Sequence, residues 1–192
     1  MARWEPDARG RLVLAALDLY AERGFDAATA ADVAERAGVT ERTFFRYFPD
    51  KREVLFDASG SLDAAVVGAV PGTVDAASAL RTVRTALLAG AALLDERREF
   101  AARRAAVIAA HPALQERELL KMSRLGAELT AVLSERGVAD AALVVETGVA
   151  VFRVAFDEWV AGTAGGVPGD DRLVTRLDAA FDRFEALVVP RP

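Results

Sequence analysis

Apolar positions recur every three or four residues along almost the whole chain, which is the spacing of one face of an α-helix. In the first such segment Leu12, Ala16 and Leu19 lie on one face. No run of alternating apolar and polar residues is long enough to predict a β-sheet. The pattern therefore predicts an all-α protein with about nine helices.

Glycines and capping residues divide the first part of this pattern. Gly24 and Gly38 can each end a helix, since glycine adopts the left-handed backbone conformation without steric cost. Thr29 precedes Asp32 by three residues, a spacing at which two side chains cap the first helical turn reciprocally. Thr40 can cap the helix after Gly38. Two short helices joined by a tight glycine turn are predicted.

The later boundaries lie at prolines, glycines and one further capping pair. Pro49 ends the third helix at Phe48, because the residue before proline disfavours the helical conformation. Asp50 and Glu53 repeat the capping spacing and begin a fourth helix that extends to about Val70. The predicted helices are residues 7–23, 30–37, 41–48, 51–70, 75–95, 97–110, 112–135, 140–162 and 170–188.

Composition and charge narrow the function classes. The 192 residues include no cysteine, which excludes disulfides and thiolate metal sites, and we predict no metal or other cofactor. No signal peptide or membrane span is predicted, so we expect a cytoplasmic protein. The net charge of −5 argues against a protein that coats nucleic acid. Residues 40–52, however, carry four basic and two acidic side chains, which is compatible with DNA binding.

The segment TAADVAERAGVTERTFFRYFPDK, Thr29–Lys51, resembles the helix-turn-helix of the TetR family, and AALDLYAERGF, Ala15–Phe25, resembles that family's first helix. The resemblance implies a three-helix DNA-binding domain at residues 1–50. It also implies a helical ligand-binding and dimerisation domain at residues 51–192, with helix 51–70 connecting the two. In the C-terminal part, HPALQERELLKMSRLGAELTAVLSERG, His111–Gly137, and FRVAFDEWV, Phe152–Val160, are similar to a subgroup that includes the mycofactocin regulator.

The third helix is predicted to enter the major groove of DNA. Phe44 and Phe48 pack inward, and an arginine fork at Arg42 or Arg46 can bridge the two acceptors of a guanine. Glu41 is either a partner of cytosine or a helix-capping residue. The resemblance implies phosphate contacts at further positions. The complete set of predicted DNA-binding residues is Thr29, Thr40, Glu41, Arg42, Thr43, Arg46, Tyr47 and Lys51.

Phe45 departs from the resembled pattern. Many members of the family have tyrosine at the matching position and use its hydroxyl on the phosphate backbone. Because phenylalanine has no hydroxyl, we expect one backbone contact to be missing.

The resemblance also implies that the last two helices form a four-helix interface in a homodimer and that the preceding helices enclose an effector. Apolar stripes supply the predicted residues, although taken alone such stripes more often form an intramolecular core. The predicted pocket residues are Phe100, Met122, Phe152, Phe156 and Trp159, and the predicted dimer residues are Val149, Phe156, Leu173, Leu177, Phe181 and Phe184.

The resemblance implies a regulator and not an enzyme. It implies a repressor that a small, largely apolar effector releases from a roughly palindromic double-stranded DNA operator. The similarity to the subgroup suggests acyl thioesters as one ligand class. A helical protein–protein adaptor is the alternative, because it explains the stripes and the acidic balance. An enzyme is disfavoured, since the chain has no cysteine nucleophile and no glycine-rich phosphate loop. Its one histidine, His111, lies at a helix break before Pro112.

Overall fold

The computed structural model describes residues 7–56, 59–74, 78–165 and 172–188. Within these ranges the chain is helical and contains no strand, as the apolar spacing predicts, and no helix is long and apolar enough to cross a bilayer. The helices are α1 Ala8–Arg23, α2 Ala30–Arg36, α3 Glu41–Tyr47, α4 Ser59–Gly68, α5 Ala79–Glu96, α6 Arg98–Ala109, α7 Pro112–Glu135, α8 Ala141–Gly165 and α9 Leu173–Val188.

The predicted fourth helix, residues 51–70, is wrong in its first turns. A short 3₁₀ turn, Glu53–Phe56, comes first, and α4 begins at Ser59. Asp50 accepts hydrogen bonds from the backbone N–H groups of Arg52 and Glu53 at 2.7 and 3.2 Å, as a cap does. The Glu53 carboxylate does not complete the capping pair, because it binds Arg117 instead.

Packing divides the chain into two units. The N-terminal unit consists of Met1–Ser59 and Arg103–Glu118, and the C-terminal unit of Gly60–Ala102 and Leu119–Pro192. This division differs from the predicted boundary after residue 50, because the N-terminal unit includes the end of α6 and the start of α7. The contacts that hold this second segment join residues distant in sequence and leave no periodic signal.

The core of the N-terminal unit lies where α1, α2 and α3 meet. The inward face of α1 supplies Leu12, Ala16 and Leu19, each at most 1% exposed. Val33 of α2 and Phe44 of α3 are fully buried, as the sequence predicts. Burying side chains of this size contributes about 1.5–3 kcal/mol each, so this cluster is the main force that positions the two short helices.

The core of the C-terminal unit is formed mainly by α5, α8 and α9, which pack against one another. Gly148 of α8 allows a close approach, because a Cβ atom there would lie 2.3 Å from Cγ1 of Val83 on α5. The N-terminus of α9 is capped from a distance: Asp95 at the end of α5 accepts the backbone N–H groups of Leu173 and Val174 at 2.7 and 3.1 Å. The close approach brings α8 against α5, and the two hydrogen bonds to Asp95 fix the start of α9 beside the end of α5.

Candidate nucleic-acid interface

The turn between α1 and α2 is built as predicted around Gly24. Gly24 has φ 83° and donates its N–H to the carbonyl of Tyr20 at 3.1 Å. Phe25 is then buried, with its ring 5.2 Å from that of Tyr20 in an edge arrangement. The backbone N–H of Phe25 donates to Nε2 of His111 at 3.1 Å. His111 therefore satisfies a buried donor in this turn, a partner that helix spacing alone could not reveal.

The predicted reciprocal cap of α2 is present. Thr29 Oγ1 accepts from the backbone N–H of Asp32 at 3.1 Å, and the Asp32 carboxylate accepts from the Thr29 N–H at 2.8 Å and from its hydroxyl at 2.6 Å. The hydrogen bond from the Thr29 hydroxyl is the main cause that lowers the pKa of Asp32. The one hydroxyl proton of Thr29 is thus used within the cap. A phosphate contact by Thr29 stays a prediction that this geometry does not favour.

The turn between α2 and α3 contains Gly38, which has φ 67°. The N–H groups of Gly38 and Val39 donate to Glu35 and Ala34 carbonyls at 3.0 and 2.9 Å, which closes the end of α2. Thr40 then caps α3 by accepting from the Thr43 N–H, and the two threonine hydroxyls lie 3.0 Å apart. This turn sets the angle between the two short helices.

Helix α3 has one buried and one exposed face. Phe44 and the capping residue Phe48 are at most 2% exposed, whereas Phe45 is 52% exposed. The exposed face also carries Glu41, Arg42, Arg46 and Tyr47, and Thr43 is half-buried at its edge. A surface groove of about 340 Å³ is lined by Arg42, Thr43, Phe45 and Arg46. The structure therefore brings together six of the eight predicted DNA-binding residues, counting Thr40 at the start of the helix.

The two arginines of α3 differ in their surroundings. The Arg46 guanidinium lies 4.9 Å from the centre of the Tyr47 ring, and its Nη2 is 3.3 Å from the Tyr47 hydroxyl. Arg42 makes no hydrogen bond or ion pair with the residues that the structure describes. Its fork of donors is consequently available to an external acceptor, while Arg46 and Tyr47 form a pair.

Lys51 is directed into the N-terminal unit. Its Nζ donates to the carbonyls of Phe25 at 2.8 Å and Ala28 at 3.0 Å, and it lies 4.3 Å from the centre of the Phe25 ring. The Tyr20 hydroxyl donates to the Lys51 carbonyl at 2.7 Å. The ammonium thus holds the turn before α2, so its predicted phosphate contact would require these bonds to be given up.

The N-terminal unit also contains a cluster of two arginines around Phe56 that the sequence did not predict. Arg104 of α6 and Arg117 of α7 place their guanidinium groups 4.8 and 4.9 Å from the centre of the Phe56 ring. Arg117 binds both oxygens of Glu53, and this hydrogen bonding is the main cause that raises the pKa of Arg117. Arg104 binds Glu118 and the Leu55 carbonyl. The sequence signal was weak, because the charged partners are 14 and 64 residues apart in the chain.

The predicted pocket residues lie in the C-terminal unit. Phe152 and Trp159 belong to its buried core, and Met122 and Phe156 pack against it, half-buried. The rings of Phe152 and Phe156 stack at 6.0 Å with an interplanar angle of 19°. These four side chains form one apolar cluster. Phe100, also half-buried, does not belong to that cluster.

Three of the six predicted dimer residues lie in the core of the single chain. Leu173, Leu177 and Phe181 are completely buried there. Because their stripe faces α5 and α8, a partner contact by these three residues stays a prediction that this geometry does not favour. The other three, Val149, Phe156 and Phe184, are half-buried against the same core. Among the side chains that the structure describes, the large apolar ones exposed on α8 and α9 are Leu143, Val154, Leu187 and Val188, between 50% and 83% exposed.

Comparison with known proteins agrees with this geometry. Residues 12–58 match the family described as bacterial regulatory proteins, tetR family. An uncharacterized HTH-type transcriptional regulator of Mycobacterium bovis, Mb2274c, is 37% identical over 71 residues, which cover 37% of this chain and 38% of that protein. The chain thus matches little more than a third of this relative's length.

Two solved structures are similar over nearly the whole chain. A transcriptional regulator from Rhodococcus sp. Rha1 has 27% identity and a TM-score of 0.51, over 95% of this chain and 99% of that one. Thermus thermophilus FadR, a TetR-family transcriptional repressor in complex with lauroyl-CoA, has 24% identity and a TM-score of 0.51, over 96% and 98%. The similarity therefore extends to the helices beyond the matched segment.

Proposed function

We propose that this protein, whose residues 12–58 match the TetR family of bacterial regulators, is a DNA-binding transcriptional regulator that represses its target genes as a homodimer. One observation carries the proposal: α3 buries Phe44 and Phe48 and presents Arg42, Arg46 and Tyr47 on the opposite face. A short helix anchored in this way can enter the major groove with its polar side chains towards the bases.

The roles of the side chains follow from their surroundings. Arg42, which has no partner among the described residues, is proposed to read a guanine through its fork of donors. The Arg46–Tyr47 pair is proposed to bind phosphate, since stacking fixes the guanidinium while leaving donors at its edge. Thr40, Glu41 and Thr43 complete the proposed contact surface. Thr29 and Lys51 are assigned to the folded structure of the domain instead.

A dimer is proposed because seven residues of α3 can read only a few base pairs. Two copies that contact sites one helical turn apart would double the contacts and select a roughly palindromic operator. The exposed apolar residues of α8 and α9, including Leu143, Val154 and Leu187, are proposed to pack against the partner. They replace the buried stripe of Leu173, Leu177 and Phe181 in this role.

The effector is proposed to bind within the C-terminal unit, beside the aromatic cluster of Phe152, Phe156 and Trp159. An apolar acyl chain suits such a lining, and the lauroyl-CoA complex of the similar Thermus protein supports an acyl thioester as the first class to test. The effector would release the operator by binding more tightly to a conformation that cannot hold DNA. It can weaken DNA binding only by that difference in affinity.

Selection of duplex DNA from a random library by the purified protein tests the proposal. The wild type should enrich a palindrome, and Arg42→Ala should bind it about 5- to 150-fold more weakly per half-site, the loss of one bidentate contact of ~1–3 kcal/mol. Arg124→Ala, which removes another exposed arginine from α7, is the matched control and should bind normally.

Failure of the wild-type dimer to enrich any sequence at low salt, where phosphate contacts are strongest, would contradict the proposal and favour the protein–protein adaptor. Equal binding by Arg42→Ala and wild type would contradict the assignment of α3 as the reading helix. Both variants are checked for native helix content by circular dichroism, so that unfolding is not taken for lost recognition.

A further inference from the structure

Phe45 is a large apolar side chain that α3 leaves exposed. It is 52% exposed, although Phe44 beside it and Phe48 at the helix end are almost completely buried. Its ring meets that of Phe44 edge-on at 5.3 Å, which restricts its orientation. A phenyl ring held half out of the fold, on the face proposed to meet DNA, can still bury apolar area when a partner arrives.

The neighbours of Phe45 define what that partner can be. Phe45 lines the same groove as Arg42, Thr43 and Arg46, so an apolar surface lies beside two arginine side chains. A phenyl ring has no hydrogen-bond donor or acceptor for the polar edges of bases and gains nothing from a phosphate oxygen. The apolar feature of base pairs in the major groove is the C5-methyl group of a pyrimidine.

We propose that Phe45 is a specificity-determining residue that packs on the C5-methyl group of a pyrimidine, thymine or 5-methylcytosine, in the operator. This inference rests on the proposed function. Burial of one methyl-sized group favours binding by about fourfold, and two half-sites in a dimer give about 15-fold. The two arginines of the groove would supply charge and hydrogen bonding, whereas Phe45 would distinguish a methylated pyrimidine from an unmethylated one.

The test uses the full chain and the palindrome enriched from the random library. Binding of the wild type is titrated against this duplex and against the same duplex with deoxyuridine in place of every thymidine, which removes only the methyl groups. A second arm replaces each cytosine by 5-methylcytosine. Phe45→Ala is titrated against all three duplexes. Tyr47→Ala removes another exposed aromatic ring of α3 and is the matched control.

If Phe45 packs on thymine, deoxyuridine should weaken wild-type binding about 15-fold, and Phe45→Ala should reduce this difference to less than twofold. If it packs on 5-methylcytosine, the second arm should instead strengthen wild-type binding by a similar factor, again lost in Phe45→Ala. Tyr47→Ala should keep the methyl effect while weakening binding to every duplex.

Equal wild-type affinity for all three duplexes would overturn the inference, as would a methyl effect that survives in Phe45→Ala. The wild-type comparison does not depend on the folding of any variant. A motif without methyl dependence would leave the proposed function standing and refute only the role of Phe45. Absence of any enriched motif would refute both.

Discussion

Replacing Lys51 by methionine separates two roles that the sequence could not distinguish. Methionine keeps the length and apolar stem of the side chain and removes the ammonium. In the folded chain that ammonium binds the Phe25 and Ala28 carbonyls and stands over the Phe25 ring. The turn that carries α2 would lose all three interactions in Lys51→Met.

The expected loss of stability can be worked from these contacts. Two hydrogen bonds from a charged donor contribute about 1.5 kcal/mol each at the lower end of their range, and the cation–π contact about 0.5–1 kcal/mol. The third carbonyl, that of Asp26, lies 3.4 Å from Nζ and adds little. Because Lys51 is only half-buried, water can replace part of the lost bonding. We expect the free energy of unfolding to fall by about 2–3 kcal/mol.

Urea unfolding followed by circular dichroism measures this loss, with Arg52→Met as the control. Arg52 forms an exposed pair with Asp50, with the two side chains 48% and 40% exposed, so its replacement should cost less than about 1 kcal/mol. The salt dependence of operator binding is measured in parallel. A stable Lys51→Met variant whose salt slope falls by about 2, one phosphate contact in each half-site, would refute the reasoning.

Two further perturbations follow from buried groups. Burial, and after it the negative charge of Asp50, raises the pKa of Tyr20 above the value near 10 of an unfolded chain. The contribution of the Tyr20 hydroxyl to the free energy of unfolding is therefore complete below about pH 10, and it falls as the pH rises from there. Alkaline unfolding curves should show this slope, up to ~1.4 kcal/mol per pH unit, and Tyr20→Phe should remove it; an unchanged slope would exclude Tyr20 as its source. Gly148→Ala should destabilise the protein by about 1–3 kcal/mol, because its Cβ would overlap Val83. Gly126→Ala should not destabilise the protein, because the nearest neighbour of its Cβ would be 3.5 Å away. Equal melting temperatures of the two variants would show that α5 and α8 can separate.

Local signals made much of the N-terminal unit predictable. Gly24 and Gly38 have the positive φ angles expected of helix-ending glycines, and Thr29 and Asp32 form the reciprocal cap expected from their spacing. These features depend on residues at most four positions apart, so the sequence displays them directly. The inward and outward residues of α3 follow from the same short-range geometry.

The remaining features depend on contacts between distant residues. Glu53 has the right spacing to cap a helix after Asp50, but both of its carboxylate oxygens bind Arg117, 64 residues away. The stripe of α9 that includes Leu177 could belong to a core or to an interface with a partner chain, and its complete burial in one chain favours the core. The positive charge of Lys51 suits a phosphate group. Only the fold shows that its ammonium group already donates to backbone carbonyls.

Sequence selection with Arg42→Lys tests most directly whether α3 reads bases through Arg42. Lysine keeps the positive charge but loses the rigid fork that matches the two acceptors of guanine. The account predicts that the variant selects a palindrome in which one guanine per half-site is no longer required, while the other positions and the salt slope are retained. An unchanged motif bound with unchanged affinity would contradict it, because Arg42 would then contribute charge alone.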